Sequence, residues 1–140
     1  MNRKLNGAIV PRRKVTKCQK NSLFDLWESY YQNVDRGMFE EDLAEKDWML
    51  TLSDEEGIIR GFTTMKFYEL EIRGKAIRAI FNGSTIIARD YWGEQELVHT
   101  WCRFMAELKR NEPEIALYWY LIVSGFRTYM FLPLFFRNFY

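Results

Sequence analysis

The feature that most constrains the fold is a strand, a short turn and a helix that follow one another within residues 75–110. A mostly apolar run from Ala76 to Ala88 predicts a buried strand, and a turn after it ends at Gly93. A strongly amphipathic helix, predicted over Glu94 to Arg110, opens directly from that turn. The first N–H groups of a helix have no partner inside it, and the helix dipole adds about half a positive charge there. This arrangement suits a phosphate-bearing ligand.

The composition predicts one packed domain with a charged N-terminal arm. Of the 140 residues, 48% are hydrophobic and 17% aromatic, which favours a globular core over disorder. Residues 1–20 hold seven basic side chains and no acid, whereas acids outnumber bases by six in the remainder. We interpret residues 1–20 as a basic arm and residues 21–140 as the domain. No aromatic residues interleave with the basic ones, which disfavours nucleic acid as a partner.

The cysteines and the apolar C-terminal segment bear on location. Cys18 and Cys102 lack a CxxC spacing and are too few for a disulfide framework, which favours a reducing cytoplasm. The position of Cys102 on its predicted helix indicates a core residue.

Residues 115–136 approach the length of a membrane span with a single charge, but a serine–glycine pair and Pro133 interrupt them. They predict a buried strand followed by a helix, and no membrane span.

The remaining patterns predict the order α-α-β-β-β-α-β-α. Ser22 is positioned to cap the first helix, and residues 39–46 predict the second. Strands are predicted over 47–52 and 58–72 and from Lys75 onward. A hairpin turn is predicted at Arg73-Gly74, and a bulge or close backbone approach at Asn82-Gly83. A strand over 115–123 then follows a helical crossover, and Pro133 kinks or divides a last helix over 126–139.

This order and three short motifs resemble the GNAT acyltransferase family, whose members transfer an acyl group from coenzyme A (CoA) to an amine. Residues 87–93 (IARDYWG) resemble the family's V-x-P-x-Y-R-G lead-in to its pyrophosphate loop. Residues 54–62 (DEEGIIRGF) resemble its hairpin, and residues 117–129 are similar to an uncharacterised subgroup. The resemblance begins near residue 20. It implies an α+β fold in α/β/α layers, with a mixed, mostly antiparallel sheet and helices on both faces.

The resemblance also implies a cosubstrate, acetyl-CoA or another acyl-CoA, and an unknown amine acceptor. It assigns the cofactor-binding role to Ile87, Arg89, Tyr91, Trp92, Gly93, Glu94 and Gln95. Of the family's small loop residues only Gly93 is kept, and Glu94 and Glu96 place negative charge near the phosphates. We expect the backbone from Tyr91 to Gln95 to curl into a cup of N–H donors at the mouth of two diverging strands.

Catalysis in this family needs an acceptor for the amine proton and a donor for the departing thiolate. The resemblance makes Tyr129 the nearest hydroxyl on the last predicted helix, although Phe135 takes the family's tyrosine position when the pattern is laid on residues 135–140. Glu69 and Glu71 share one face of their strand and are candidate proton acceptors. A core role for Tyr129 and a solvated strand face for the glutamates are the alternatives. The lone His99 supports no metal cluster or catalytic triad.

Two functions therefore remain open on sequence alone. The first is an acyl-CoA-dependent N-acyltransferase, and the second is a catalytically degenerate GNAT-like module that acts as a binding or oligomerisation domain. Two further strands follow the last helix in the family, so the domain is interpreted as C-terminally incomplete. We expect a partner chain, such as a second copy, or a longer protein to cover Phe131, Leu134, Phe135 and Phe136.

Overall fold

A single five-stranded sheet forms the centre of the molecule. A computed structural model describes residues 4–123 and 125–138 of the chain. The strands lie in the order β1-β2-β3-β4-β5 and comprise β1 (Asn6–Pro11), β2 (Trp48–Ser53), β3 (Ile59–Ile72), β4 (Lys75–Ile87) and β5 (Ala116–Tyr120). Neighbouring strands are antiparallel except β4 and β5, which are parallel. The predicted α+β fold with a mostly antiparallel sheet is confirmed.

Helices cover both faces of this sheet, as predicted. They are α1 (Lys17–Glu28), α2 (Arg36–Ala44), α3 (Glu96–Asn111), α4 (Phe126–Tyr129) and α5 (Phe131–Phe135). Phe24 of α1 and Phe39 of α2 pack on one face against Phe62. Phe104 of α3 packs on the other face against Leu50 and Met65. The period-two alternation along each strand separates these two cores, so we call the two sides of the sheet the α1 face and the α3 face.

Strand β1 lies inside the predicted basic arm, which is corrected accordingly. Asn6–Pro11 pairs antiparallel with β2, and Leu5 beside it is buried. Gly7 permits close packing, because a Cβ there would lie 2.0 Å from the Thr100 hydroxyl of α3. The prediction that Ser22 caps the first helix is wrong. Helix α1 begins at Lys17, because Thr16 is its N-cap residue and forms a capping box with Gln19.

Two local predictions on β3 and β4 are confirmed. Arg73 and Gly74 both have positive φ, 52° and 75°, as a tight hairpin turn requires. The β3–β4 register shifts between Thr63 and Met65, where β4 carries one extra residue between Asn82 and Thr85. That extra residue forms a β-bulge, which lies just beyond Phe81, the last residue of β4 that pairs with β5.

The C-terminal segment divides as the proline predicts. The break between α4 and α5 falls at Met130, because Pro133 has no N–H to donate to the carbonyl of Tyr129. Leu134 and Phe136 are exposed, whereas the side chains of Phe131 and Phe135 lie outside the described part of the structure. None of the described helices has both the length and the apolar character that crossing a membrane requires.

Candidate functional site

The parallel pairing of β4 with β5 covers only part of β4, because β5 ends at Tyr120. Their pairing runs from Ile77 opposite Ala116 to Phe81 opposite Tyr120 and stops there. Strand β4 continues to Ile87 and keeps its pairing with β3. Within the described residues no strand pairs with β4 on the β5 side beyond Phe81. The backbone groups along that edge are therefore available to an extended ligand.

Asn82 links β4 to its neighbours directly after the last residue pair of β4 and β5. Its Oδ1 accepts hydrogen bonds from the indole Nε1 of Trp101 on α3, at 3.1 Å, and of Trp119 on β5, at 3.0 Å. Its Nδ2 donates to the hydroxyl of Thr63 on β3, which in turn bonds to Thr85 at 2.7 Å. One amide thus ties three strands and a helix together on the α3 face. No sequence pattern identified this network.

The turn between β4 and α3 curls as expected but uses part of its donors internally. A 3-10 turn spans Arg89–Tyr91, and Gly93 after it has a φ of 100°. The N–H groups of Tyr91, Trp92 and Glu94 each donate to a carbonyl within the turn. In the described part of the chain, the N–H groups of Gly93 and Gln95 donate to no protein acceptor, and no side chain caps α3. These groups at the start of α3 form the remaining donor surface.

Trp92 lies against the end of β4. Its indole Nε1 donates to the carbonyl of Ile87 at 2.8 Å, although 59% of the residue stays exposed. The guanidinium of Arg89 sits over the ring, 5.5 Å from its centre. The backbone N–H of Arg89 donates to the hydroxyl of Tyr30, which anchors the turn to the segment after α1. Arg89 is therefore the cation closest in sequence to the free donors of the turn.

The acids of the turn differ in their surroundings. Burial would raise the pKa of the Glu96 carboxyl, but hydrogen bonds from Thr100 and Arg103 outweigh it and hold the pKa below its usual range. The negative charge of Glu96 is thus compensated by Arg103, 2.7 Å away. Glu94 is partly buried in the turn itself. The expected repulsion of phosphates by Glu96 is accordingly reduced.

The predicted catalytic residues are not gathered at this turn. Glu69 pairs with Arg78 near the β3–β4 hairpin, and Glu71 lies opposite Ala76 still closer to its tip. Glu69 is four residues beyond the bulge along β3, which is about 13 Å in a strand. Tyr129 lies in α4, which begins at Phe126, six residues after the end of β5. The catalytic roles of all three residues stay predictions.

A buried lysine and a buried threonine lie on the opposite side of the bulge. A Cβ built on Gly83 would lie 2.5 Å from Thr64 Oγ1 and 2.9 Å from Lys46 Cε. Lys46 is 7% exposed, and its Nζ donates to Asp42 at 2.6 Å. Thr64 Oγ1 is buried without a hydrogen-bond partner among the described residues. The expected close approach at Asn82-Gly83 was the only sequence signal for this cluster.

Two clefts open on the surface. One, of about 730 Å³, lies between β1 and α3 and is lined by residues such as Ile9, Trp48 and Leu108. The other, of about 650 Å³, borders residues 88–91 of the turn together with Tyr30 and Arg60. The smaller cleft is the one relevant to a ligand of the turn, because it shares the turn's residues.

The helix surface corrects one further expectation. Cys102 is exposed on α3 rather than part of the core, and so is Cys18 on α1. The apolar stripe of α3 buries Phe104 and the flank of Trp101, and Cys102 lies just outside it.

Comparison with known proteins supports the fold. No protein-family profile and no curated protein matches the chain. The chain is similar to the ribosomal-protein-alanine N-acetyltransferase of Brucella melitensis biovar Abortus 2308, with 14% identity, a TM-score of 0.65 and coverage of 96% of this chain and 92% of that one.

Two antibiotic-modifying structures are equally similar in shape. The aminoglycoside antibiotic 6'-N-acetyltransferase AAC(6')-Ih of Acinetobacter baumannii has 9% identity, a TM-score of 0.63 and coverage of 95% of this chain and 92% of that one. AAC(6')-Iy, in complex with the bisubstrate analogue CoA-S-monomethyl-acetylneamine, has 8% identity, a TM-score of 0.65 and coverage of 96% and 92%. Identities this low show the fold alone, and that fold is the one adopted by GNAT N-acetyltransferases.

Proposed function

We propose that this chain is an acyl-CoA-dependent N-acyltransferase. The observation that carries the proposal is the free edge of β4 beyond Phe81, where β5 has ended, at the same end of the sheet as the turn that opens α3. An unpaired strand edge accepts an extended arm, and a helix start accepts an anion. CoA has both parts, since an amide-containing arm is joined to a pyrophosphate. The neighbours in fold that are named acetyltransferases support the same assignment.

The cofactor-binding residues follow from this placement. The proposal seats the pyrophosphate against the N–H groups of Gly93 and Gln95, with the guanidinium of Arg89 as the nearby cation. It seats the amide arm along the free edge of β4 that ends at Ile87. Trp92 then has to release the Ile87 carbonyl if the arm extends that far. Tyr91 and Glu94 shape the turn through their internal hydrogen bonds.

Among the catalytic candidates, the proposal keeps Tyr129 as the proton donor to the thiolate. Its helix begins at Phe126, shortly after β5 ends at Tyr120. Glu69 is engaged by Arg78 at the far end of the sheet, which makes it and Glu71 weaker candidates for the proton acceptor. The exposed thiols of Cys18 and Cys102 fit a reducing compartment, so we place the reaction in the cytoplasm.

Isothermal titration calorimetry with CoA and acetyl-CoA tests this function. Saturable binding is expected, and no heat of binding at about millimolar ligand contradicts the proposal. Gly93→Ala is expected to weaken binding at least about tenfold, because alanine at positive φ distorts the donors that face the phosphates.

Gly74→Ala is the matched control for that variant. Gly74 also has positive φ, and as at Gly93 nothing lies within 4 Å of an added Cβ. Both substitutions are therefore expected to lower the free energy of unfolding by a similar amount, about 1 kcal/mol. Only the variant in the turn is expected to lose affinity for CoA. Equal losses of affinity in the two variants would point to a general effect on the fold.

The alternative is the catalytically degenerate module that binds a partner. It is favoured by an exposed apolar surface on the α1 face, formed by Tyr68, Leu70, Tyr118, Tyr120 and Ile122. For this alternative we expect concentration-dependent self-association in sedimentation velocity experiments and no binding of CoA. A monomer at all concentrations that binds acetyl-CoA excludes it.

A further inference from the structure

We propose that Lys46 is itself an acyl acceptor, so that the protein acylates its own lysine at the β4 bulge. This inference rests on the proposed function. It begins with the unusual place of the residue: Lys46 lies in the connection between α2 and β2, and its side chain is only 6% exposed. Lysine is among the residues least often buried, and a buried lysine needs a partner.

The amine lies beside the part of β4 where the acyl group is expected. The stem of Lys46 crosses the bulge at Gly83, and its Nζ would be 3.7 Å from a Cβ added there. Gly83 is two residues beyond Phe81, where pairing with β5 stops. A side chain at this position would collide with the lysine, so the glycine is what lets the amine reach the backbone of the bulge.

The hydroxyl of Thr64 gives the second, independent observation. It is buried, and it lacks a hydrogen-bond partner among the described residues. Like the stem of Lys46, it lies within 3 Å of the position that a Cβ on Gly83 would take. A buried polar group without a partner is costly, and such groups in native proteins call for an explanation. The carbonyl oxygen of an acyl group seated at the bulge would accept from this hydroxyl.

The chemistry balances with groups that are present. The amine nitrogen attacks the thioester carbonyl, the C–N bond forms, and the C–S bond breaks with its electron pair leaving on sulfur. The ammonium loses two protons in total: one reaches the thiolate to give CoA thiol, and the other leaves through Asp42. The carboxylate of Asp42 accepts a hydrogen bond from Nζ at 2.6 Å and is half exposed, so it connects the buried amine to water.

The test is site-resolved mass spectrometry of the intact chain after incubation with acetyl-CoA. Lys46 is expected to gain an acetyl group at least about tenfold faster than Lys75, because a positioned amine has a high effective concentration. Lys75 is the internal control, since it is exposed at the hairpin end of the same strand. Acetylation of Lys46 no faster than that of Lys75 overturns the inference.

Thr64→Val separates the proposed role of the hydroxyl from a structural one. Valine keeps the shape of the side chain and removes a buried hydroxyl without a partner, so the fold is expected to keep its thermal stability. Acetylation of Lys46 is expected to slow about tenfold, which corresponds to one lost hydrogen bond. Thr51→Val, at another buried threonine on β2, is the matched control and is expected to leave the rate unchanged. Unchanged acetylation in Thr64→Val overturns the role of the hydroxyl.

A binding measurement on the same sample distinguishes the two levels of the proposal. Calorimetry that detects acetyl-CoA binding while Lys46 stays unmodified overturns this inference alone, whereas an absence of binding overturns the acyltransferase assignment as well. A readout without turnover is labelling by acetic anhydride in the presence and absence of CoA. We expect CoA to suppress labelling of Lys46 but not of Lys75, and equal labelling of Lys46 in both conditions contradicts the placement.

Discussion

The two ends of β4 are built differently. At the hairpin end, β3 and β4 pair in unbroken register from Lys66 opposite Phe81 to Ile72 opposite Lys75. Arg78 there donates to carboxylates on both sides, Glu69 on β3 and Glu112 after α3. At the other end the β3–β4 register shifts, β5 has ended, and backbone donors of the turn stay open among the described residues.

The difference separates support from function. At the hairpin end the guanidinium of Arg78 is paired with two carboxylates, so its charge supports the sheet. Within residues 4–123 and 125–138, the other end of β4 and the turn after it keep a buried hydroxyl and two N–H groups without protein partners. Unpaired polar groups are costly in a folded protein, and they concentrate where a ligand can satisfy them.

The largest expected effect comes from breaking the network of Asn82. In Asn82→Leu, both indole N–H groups of Trp101 and Trp119 lose their acceptor, so we expect the free energy of unfolding to fall by about 2–3 kcal/mol in urea denaturation. CoA binding should weaken as well, because β4 loses its side-chain links to α3 and β5 beside the free edge. Trp101→Phe should lower the free energy of unfolding by about 1 kcal/mol when Asn82 is present. In a chain that already carries Asn82→Leu, the same substitution should lower it by almost nothing. Additive losses would show that the indole and the amide are independent.

Arg78→Leu makes the corresponding change at the hairpin end. Arg78 is buried, but its partners Glu69 and Glu112 are about half exposed and can be hydrated once the cation is gone. We therefore expect a smaller loss of unfolding free energy, about 1 kcal/mol in urea denaturation. CoA affinity, measured by calorimetry, should stay unchanged. A loss of affinity as large as that in Asn82→Leu would erase the distinction between the two ends.

Acid should weaken both ends, each through one carboxylate. The hydrogen bond from Arg78 holds the pKa of Glu112 below its usual range, against the opposing effect of burial. Burial would raise the pKa of the Asp54 carboxyl beside the turn, but hydrogen bonds from Arg60 and from backbone N–H groups outweigh it. The pKa therefore lies below its usual range. Folding lowers both pKa values. The contribution of each carboxylate to the free energy of unfolding is therefore complete above its pKa in the unfolded chain, about 4, and is lost as the pH falls through its pKa in the folded chain.

Urea midpoints measured between about pH 6 and about pH 3 check this dependence. They should fall toward acid, and Arg78→Leu should remove the part of the fall that belongs to Glu112. An unchanged acid profile in that variant would show that the ion pair does not contribute.

The smallest effect is expected from Trp92→Phe. The indole is mostly exposed, so loss of its hydrogen bond to the Ile87 carbonyl should cost about 0.5 kcal/mol of unfolding free energy. The freed carbonyl is then available to the amide arm of CoA, and calorimetry should show tighter binding. Weaker binding would instead make the indole part of the ligand site.

Local patterns predicted much of this fold because they encode local structure. The Arg73-Gly74 turn, the bulge at Gly83 and the division caused by Pro133 each depend on backbone properties of a few neighbouring residues. Strand β1 was missed because an edge strand needs few apolar residues, and a run of basic residues follows it. Asn82, Thr64 and Lys46 were missed as site residues because their partners come from distant elements, and no spacing along the chain records such contacts.

The parallel pairing of β4 with β5 has a consequence for how the chain folds. The whole of α3 lies between Ile77 and Ala116 in the sequence, whereas short turns join β2 to β3 and β3 to β4. Contacts between residues distant in sequence carry a larger loop-closure cost and form more slowly. Strand β4 is therefore expected to gain its neighbour β5 later than β2, β3 and β4 pair with one another, so the meander can form before the binding site is complete.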